Sequence, residues 1–368
     1  MHTVVIAPDS FKGSLDAAAV AEAIGEGWRS IRPDDRLVLL PQADGGEGTL
    51  DAILAATPEA RLHSAGTVTG PDGRLTEGVW LELPDGAAVV ELAQMSGLPL
   101  MRHLDPTGSS TRGLGETIAA ALDAGAEEVV IGLGGSASTD GGAGALAALG
   151  LRLHGAEGGV LPDGGGALAH LHDIDASEMR AAPARGVRLL SDVTAPLLGA
   201  TGAAAVFGPQ KGADEEQVAQ LDAALTRFAE RLGAGADSPG AGAAGGTGYG
   251  FIAAWDARVE SGADALADLT GLSSALGDAD ILITGEGRFD ATSLTGKVVG
   301  AALARATGIR SIVIAGQVAE DPAEAVGGNV FGIGLTDLAP SVDDAIRDPA
   351  TWLRAAAAEA ARRVSADR

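Results

Sequence analysis

Residues 3–14 read Thr3-Val4-Val5-Ile6-Ala7-Pro8-Asp9-Ser10-Phe11-Lys12-Gly13-Ser14, an apolar run followed by a polar loop that contains one glycine. The β-branched residues of the run predict a buried parallel strand. The residues after the loop, from Asp16 to Trp28, have a helical pattern, and Ser14 is a suitable N-cap for that helix. The stretch therefore predicts one strand–loop–helix unit.

The same order of elements recurs along the chain. Strand-like runs lead into polar loops at four further places, 37–40 into 42–49, 129–131 into 132–142, 187–190 into 191–193, and 281–283 into 284–290. Strands that alternate with helices predict an α/β fold with a mostly parallel sheet. Ligands bind such sheets beyond the carboxyl ends of the strands, and a helix N-terminus at that edge suits phosphate. We therefore predict a phosphate-handling site at these loops.

The remaining segments predict ordinary secondary structure around these units. We expect hairpin-like strands in 64–92, a helix from Thr111 to about Gly125, an amphipathic helix over 214–232, a glycine loop over 239–246, and a terminal helix from Pro349 to about Val364. The length of 368 residues suits two domains, although no linker or repeat marks a boundary between them.

The composition excludes several classes of protein. The formal net charge of -25 argues against nucleic-acid binding, which needs clustered Lys and Arg. The chain has no cysteine, so disulfides and thiolate chemistry are impossible. Its apolar runs are far shorter than the ~18 residues of a membrane span, and its first residues do not resemble a leader. We expect a soluble, cytoplasmic protein with no nucleic-acid or membrane partner, and the oligomeric state stays open.

The three lysines of the chain lie in or beside the glycine-rich loops, at Lys12, Lys211 and Lys297. A chain that used lysine only for solubility would not restrict it to these places, so we predict that the three side chains bind anions. Arg112 and Arg288 are the arginines closest to the loops. Phosphoryl transfer needs cations of this kind beside the transferred group.

Carboxylates also follow the strands, as a Mg²⁺ site and a base for an acceptor hydroxyl would require. The candidates are Asp9, Asp44, Glu47, Asp140, Asp192, Glu286 and Asp290. An aspartate at a strand end commonly caps a turn or a helix instead. Asp192 stands out because no helix follows it, and Asp44 because it shares its loop with Glu47 and three glycines. Which of the two holds metal and which acts as base stays open.

Several familiar motifs are absent from the sequence. It has neither the Gly-x4-Gly-Lys-Ser/Thr loop nor the G-x-G-x-x-G fingerprint, which disfavours a nucleotide-dependent oxidoreductase. No G-x-S-x-G elbow supports a hydrolase. We interpret His170-x-His172 as an exposed pair in a loop rather than a metal site.

With these loops, the chain resembles the bacterial type-1 glycerate kinase family. The motifs that carry the resemblance occur in the family's order, at Ala7–Ser14, Ala43–Thr49, Gly132–Ala137 with Asp140–Gly142, Phe207–Ala213, Gly240–Gly246 and Ile283–Arg288. Four positions depart from the family pattern, Leu114, Ala195, Thr292 and Val299. These departures leave the charged candidates unchanged.

The resemblance implies ATP-dependent, Mg²⁺-assisted phosphorylation of D-glycerate, with 2-phosphoglycerate favoured over 3-phosphoglycerate as the product. It also implies two α/β domains with mostly parallel sheets and the active site in the cleft between them. The expected domains are a discontinuous Rossmann-like domain, 1–70 plus 280–368, and a flavodoxin-like domain, 71–279. A kinase for another small hydroxy acid or sugar acid and a non-catalytic glycerate sensor stay open as alternatives.

Each candidate residue then receives a predicted role. We predict catalytic duty for Asp192, Lys12 and Asp44, and Asp44 and Asp192 are also the candidate metal ligands. The predicted substrate contacts are Ser10, Lys211, Arg288 and Lys297. The predicted nucleotide contacts are Gly134, Gly135, Ser136, Asp140, Glu286 and Asp290.

Overall fold

The computed structural model describes residues 1–366, which form two compact units. Unit 1 comprises Met1–Asp44, Asp51–Pro58 and the chain from Gly262 onward, and unit 2 comprises Gly45–Leu50 and Glu59–Ser261. The predicted domain ranges differ from these units at three segments, since they assign 45–50 and 59–70 to the first domain and 262–279 to the second.

The strands within residues 1–366 are short, as is usual for α/β proteins. In chain order they are β1 (Thr3–Ile6), β2 (Arg36–Leu39), β3 (Arg61–Thr69), β4 (Leu75–Glu82), β5 (Ala87–Glu91), β6 (Glu128–Gly132), β7 (Arg152–Gly155), β8 (Leu171–Asp175), β9 (Val187–Leu190), β10 (Arg258–Glu260), β11 (Ile281–Thr284), β12 (Arg288–Phe289), β13 (Arg310–Ala315), β14 (Gln317–Val318) and β15 (Val330–Gly334).

The helices connect and cover these strands. In chain order they are α1 (Ala17–Arg29), α2 (Thr49–Ala56), α3 (Leu92–Ser96), α4 (Arg112–Asp123), α5 (Ala143–Ala148), α6 (Ala203–Phe207), α7 (Glu215–Leu232), α8 (Ala243–Trp255), α9 (Gly262–Leu269), α10 (Leu272–Gly277), α11 (Val298–Arg305), α12 (Pro322–Val326), α13 (Val342–Arg347) and α14 (Pro349–Ala366). Short 3₁₀ turns lie at Leu98–Leu100, Gly165–His170, Pro209–Lys211, Ala291–Leu294 and Leu335–Asp337. Within residues 1–366, no helix combines the length and the apolar character that crossing a membrane requires.

The sheet of unit 1 has the strand order β15-β13-β11-β1-β2, and each neighbouring pair in it is parallel. In the interior strand β1, Val4 and Ile6 face one apolar cluster, and Val5, together with Ala7 just after the strand, faces another, because successive side chains point to opposite faces. Helices α1 and α14 supply the first cluster, and α9, α10 and α11 supply the second. The prediction of an α/β fold with mostly parallel sheets is confirmed.

The strand order of unit 1 corrects one expectation. Counted within the unit, the order is 2-1-3-4-5, which is the flavodoxin-like order, whereas the resemblance implied a Rossmann-like domain here. The chain adds β2 on one side of β1 and later returns as β11 on the other side. The sheet therefore has its topological switch point between β1 and β11.

The sheet of unit 2 has the sequential order β10-β9-β6-β5-β4-β3, which corrects the expectation of a flavodoxin-like order for this part of the chain. Strands β5, β6, β9 and β10 are parallel neighbours, while β3, β4 and β5 pair as antiparallel hairpins, as predicted for 64–92. Helices α4, α5, α7 and α8 pack into the apolar core beside this sheet.

Helix starts follow local capping chemistry. Helix α1 begins after Asp16, whose side chain accepts a hydrogen bond of 2.7 Å from the backbone N–H of Ala19. The prediction of Ser14 as its N-cap is wrong, because the Ser14 hydroxyl donates to the backbone oxygen of Phe11 in the turn before the helix. Helix α7 begins with a full capping box between Asp214 and Gln217.

Candidate active site

The carboxyl ends of β1 and β11 bring two loops together at the switch point of unit 1. The backbone N–H of Asp9, after β1, donates to the backbone oxygen of Gly285, after β11, at 2.8 Å. Crevices at such switch points are the usual ligand sites of open α/β sheets. Seven predicted site residues belong to this unit, namely Ser10, Lys12, Asp44, Glu286, Arg288, Asp290 and Lys297.

Asp9 is the most perturbed carboxyl group of this edge. Burial, the neighbouring charge of Asp44 and a smaller contribution from Glu286 raise its pKa to about 7, against the opposing effects of the Ser10 N–H and Lys12. The Ser10 N–H donates to Asp9 Oδ1 at 2.6 Å. Asp9 was among the candidate acids in the sequence but received no predicted role. The signal that could have indicated a role for Asp9 is its position soon after the apolar strand β1.

Lys12 and Asp44 form the most accessible charged pair of this edge. Lys12 Nζ lies 3.9 Å from Asp44 Oδ2, and the Lys12 side chain is 81% exposed whereas that of Asp44 is 31% exposed. An ion pair this open contributes little to stability. The ammonium group of Lys12 is therefore available to an incoming anion, as the predicted role requires.

Glu286 is buried and incompletely hydrogen-bonded. Its Oε1 atom has no hydrogen-bond partner among residues 1–366. Burial raises the pKa of this carboxyl, and the Ser293 hydroxyl and the charge of Lys297 partly oppose the rise. A buried carboxylate oxygen without a partner is costly in an isolated protein, so Glu286 is a group that a ligand could satisfy.

Asp290 holds the turn that follows β12. Its carboxylate accepts from the backbone N–H of Thr292 at 3.0 Å and from the Thr292 hydroxyl at 2.7 Å, and this hydroxyl bond in particular keeps the pKa of Asp290 below its usual range. Arg288 Nε lies 3.2 Å from Asp290 Oδ2, and Lys297 Nζ donates to Thr292 Oγ1 at 3.1 Å. The structure thus joins Arg288, Asp290 and Lys297 through one polar turn.

Unit 2 holds the other predicted residues, Gly134, Gly135, Ser136, Asp140, Asp192 and Lys211. The loops after β6 and β9 run side by side, because these parallel strands pair Gly132 with Leu190. Gly134 packs so tightly that an added Cβ would lie 2.3 Å from Gly46 Cα. Asp192 follows β9 on the same edge, and its side chain is exposed.

Lys211 ends a 3₁₀ turn and buries its side chain, which is 2% exposed. Its Nζ atom donates to Ser136 Oγ at 2.9 Å and to the backbone oxygen of Ser138. Burial lowers the pKa of Lys211 to about 7, although the nearby charge of Asp140 favours the protonated form. Lys211 and Ser136 are therefore brought together, as members of one hydrogen-bonded group.

Asp140 is fully buried and satisfied by its own unit. Its carboxylate accepts hydrogen bonds from the N–H and hydroxyl groups of Thr111 and from the N–H groups of Gly142 and Gly144. Burial raises its pKa, and these hydrogen bonds oppose the rise. The geometry favours loop support for Asp140 rather than direct contact with a ligand.

Two further charged residues of unit 2 anchor loops. Arg112, a candidate cation in the sequence, forms a two-pronged ion pair with Asp163. Glu91, which sequence reasoning missed, is fully buried and accepts from the N–H groups of Gly48 and Leu50 at the start of α2. A charged residue at the end of the apolar run Val89-Val90 was the signal for it.

The carboxylates of unit 1 fit a magnesium ion that is shared with a phosphate ligand. Within the described part of the chain, no three His, Asp or Glu side chains are grouped as a complete metal site. Mg²⁺ in kinase sites needs only one or two protein carboxylates, because water and substrate phosphates fill the other positions. The mutual repulsion of Asp9 and Asp44 is relieved by a bound cation, and Asp44 is open enough to reach one.

Parallel α/β units with charged, glycine-rich loops at their strand ends are typical of enzymes that bind anionic, phosphorylated ligands. Comparisons with known proteins narrow this class. The model of the family described as "Glycerate kinase family" matches residues 4–365.

Two curated relatives and one solved structure are similar over most of their length. Glycerate 2-kinase of Escherichia coli K12 is 45% identical over 304 residues, 80% of this chain and 79% of the relative. Glycerate kinase of Bacillus subtilis 168 is 43% identical over 330 residues, 86% of each chain. A Salmonella typhimurium LT2 crystal structure, assigned as glycerate kinase 2, is 39% identical with a TM-score of 0.85, covering 100% of this chain and 99% of its own. The chain belongs to the glycerate kinase family, and it is a phosphotransferase with an alcohol acceptor.

Proposed function

We propose that this enzyme transfers the γ-phosphoryl group of ATP to the 2-hydroxyl of D-glycerate, with Mg²⁺, and releases 2-phosphoglycerate and ADP. The observation that carries the proposal is the similarity over 80% of the chain to a relative named glycerate 2-kinase. The accessible Lys12–Asp44 pair and the unsatisfied Glu286 at the switch point of unit 1 support it, since they suit an anionic ligand with a cation. We also propose that the enzyme is cytoplasmic, because its proposed substrates are ATP and glycerate.

The open cations of unit 1 are the proposed partners of anionic substrate groups. Lys12 is exposed, and Arg288 and Lys297 stand on the turn held by Asp290. Their positive charges would neutralise the glycerate carboxylate or the phosphates and hold the acceptor in line with the transferred group. Ser10, next to Asp9, would supply a hydroxyl contact.

Asp44 and Asp192 are the proposed metal ligand and general base, with the division between them open. A base must accept the proton of the attacking glycerate hydroxyl, which an ionised and accessible carboxylate can do. Both side chains are at least partly accessible. When bound, Mg²⁺ would neutralise charge on the phosphates, and whichever of Asp44 and Asp192 is not the base would hold it.

The glycine turn of unit 2 is the proposed nucleotide contact. Gly135 is exposed and Gly134 is partly exposed, so their backbone would be open to a nucleotide, and Ser136 would offer a hydroxyl. Asp140, Asp290 and Glu286 were also predicted to contact nucleotide. For Asp140 and Asp290 the hydrogen bonds above support an indirect contribution, in which each fixes a loop.

The test is ADP release from ATP and Mg²⁺ with a panel of acceptors that includes D-glycerate, L-glycerate, glycolate, D-lactate and a sugar acid. We expect turnover with D-glycerate at a kcat/KM at least ~10-fold above each other acceptor. Turnover preferring another acid would favour the alternative kinase. Binding of D-glycerate with no ADP release would favour the non-catalytic sensor.

A further inference from the structure

The ammonium group of Lys211 lies inside unit 2 rather than on its surface. The side chain is 2% exposed, while its neighbour Ser136 is 8% exposed. Lys211 therefore cannot offer its charge freely to a ligand, as the exposed Lys12 can. Any role in ligand binding must pass through the groups that its Nζ atom contacts.

The hydrogen bond from Lys211 determines which hydrogen-bonding role remains for the Ser136 hydroxyl. An ammonium group can only donate, so the Ser136 Oγ atom, at 2.9 Å from Nζ, must accept. A hydroxyl that accepts from lysine still carries one hydrogen of its own to donate. No acceptor within residues 1–366 receives that hydrogen. The hydroxyl is thus left as a donor without a protein partner.

The backbone on both sides of Ser136 is also fixed. The N–H of Leu98 donates to the Gly135 oxygen at 2.8 Å, and the N–H of Ala137 donates to the Ser96 oxygen at 3.1 Å. The second lysine bond, to the Ser138 oxygen, ties the next part of the same loop. The backbone that carries Ser136 is therefore held in place on both sides, and the bond from Lys211 Nζ is the contact that orients its hydroxyl oxygen.

We propose that Lys211 is a positioning residue that fixes the Ser136 hydroxyl as a hydrogen-bond donor for an anionic oxygen of a bound substrate. That oxygen belongs either to the glycerate carboxylate or to an ATP phosphate, which have the same acceptor chemistry. The proposal rests on the proposed function, and it replaces the predicted direct contact of Lys211 with substrate. Burial lowers the pKa of Lys211 to about 7, and the nearby charge of Asp140 opposes this shift; the donor role belongs to the protonated form, which predominates below about pH 7.

The experiment measures equilibrium binding of D-glycerate and of ATP separately, by calorimetry, to the wild type, Ser136→Ala, Lys211→Met and the double variant. A hydrogen bond to a charged group corresponds to about 10- to 100-fold in affinity. We expect Ser136→Ala to weaken one of the two ligands by about this factor and to leave the other within about threefold. Weaker glycerate binding identifies the carboxylate, and weaker ATP binding identifies a phosphate.

The decisive measurement is the energetic coupling between Lys211 and Ser136, obtained by comparing the wild type, the two single variants and the double variant. If Lys211 acts through Ser136, the double variant binds no more weakly than Lys211→Met alone, within about threefold. Ser138→Ala is the matched control, because it removes a hydroxyl from the same loop but keeps the backbone oxygen that Lys211 contacts. We expect it to bind both ligands as the wild type does.

Each contrary outcome is distinct. Ser136→Ala with unchanged affinity for both ligands overturns the proposal, even if Lys211→Met fails to fold. A double variant whose loss equals the product of the single losses also overturns it, because the two residues would then act separately. A wild type that binds ligand but does not release ADP overturns the proposed function alone. A wild type that binds neither ligand overturns both.

Discussion

The Asp140 carboxylate accepts hydrogen bonds from both the backbone N–H and the hydroxyl of Thr111, at 2.9 Å and 2.8 Å. The same carboxylate accepts from the N–H groups of Gly142 and Gly144. Asp140 thus ties the start of α4 to the start of α5 across 29 residues of sequence. This buried side chain thus helps to hold the end of the glycine loop after β6.

Asp140→Ala should lower the free energy of unfolding by about 2–4 kcal/mol, because it leaves buried donors without an acceptor. The measurement is urea denaturation followed by circular dichroism. Asp173→Ala is the control, since Asp173 is an exposed carboxylate of the same unit, and it should cost less than about 0.5 kcal/mol. Equal stability of the two variants would show that Asp140 does not support the loop.

Gly245→Ala should destabilise unit 2 strongly. Gly245 has φ +65°, and an added Cβ would lie 2.0 Å from the backbone oxygen of Ser138. The left-handed backbone alone costs an alanine about 1–2 kcal/mol, and the overlap adds roughly 1–3 kcal/mol more. The expected loss, about 3 kcal/mol, is read from the urea midpoint.

Gly186→Ala separates these two causes. Gly186 has φ +90° in the same unit, but an added Cβ would meet nothing within 4 Å. It should therefore show only the backbone cost of about 1–2 kcal/mol. If both alanine variants lost the same stability, close packing of Gly245 on Ser138 would not be the reason for glycine at that position.

Asp9→Asn should change how stability depends on pH. The folded-state pKa of about 7 lies above the unfolded value of about 4, so the folded protein binds a proton that the unfolded chain releases between these values. The contribution of Asp9 to wild-type stability therefore falls as pH rises from about 4 to 7. The variant lacks this loss, so its stability relative to wild type should rise across that range and stay level above about pH 7.

The pH series is measured by urea denaturation in chelator, to keep cations from the carboxylates. Asp278→Asn, at an exposed site of the same unit, is the control and should run parallel to the wild type. A stability difference for Asp9→Asn that is constant between pH 4 and pH 8 would contradict the elevated pKa of Asp9.

Asp192→Asn should lower kcat by at least ~10²-fold if Asp192 is the general base, with little change in stability because its side chain is exposed. The measurement is steady-state ADP release at saturating substrates, together with a thermal melt. Asp237→Asn, another exposed carboxylate of unit 2, should retain wild-type kcat. Full activity of Asp192→Asn would leave Asp44 as the remaining candidate for the base.

Local patterns were enough to predict most elements near the site. The strand Val187–Leu190 and the helix that ends at Leu232 lie where the sequence predicts them, because short apolar runs and capping residues act over a few residues. Local patterns could not predict which strands are neighbours in each sheet. Whether β11 returns beside β1 or β2 is decided by packing between segments more than 200 residues apart.

The site was predicted as a set of residue types rather than as contacts. All three lysines lie in or beside loops that contain glycine, yet Lys12 is open and Lys211 is buried. That difference comes from hydrogen bonds between Lys211 and the loop at Ser136, 75 residues away in sequence. The prediction that Asp140 contacts nucleotide also lacked this information. The four groups that donate hydrogen bonds to its carboxylate belong to Thr111, Gly142 and Gly144, and no local sequence pattern reveals these contacts.

The most direct test of the proposed activity couples the enzyme to enolase. The purified protein is incubated with D-glycerate, ATP and Mg²⁺, and phosphoenolpyruvate formation is followed by its ultraviolet absorbance. We predict that phosphoenolpyruvate forms without any mutase, because enolase consumes 2-phosphoglycerate directly. Formation only after a phosphoglycerate mutase is added would contradict transfer to the 2-hydroxyl, and no formation with or without the mutase would contradict glycerate phosphorylation itself.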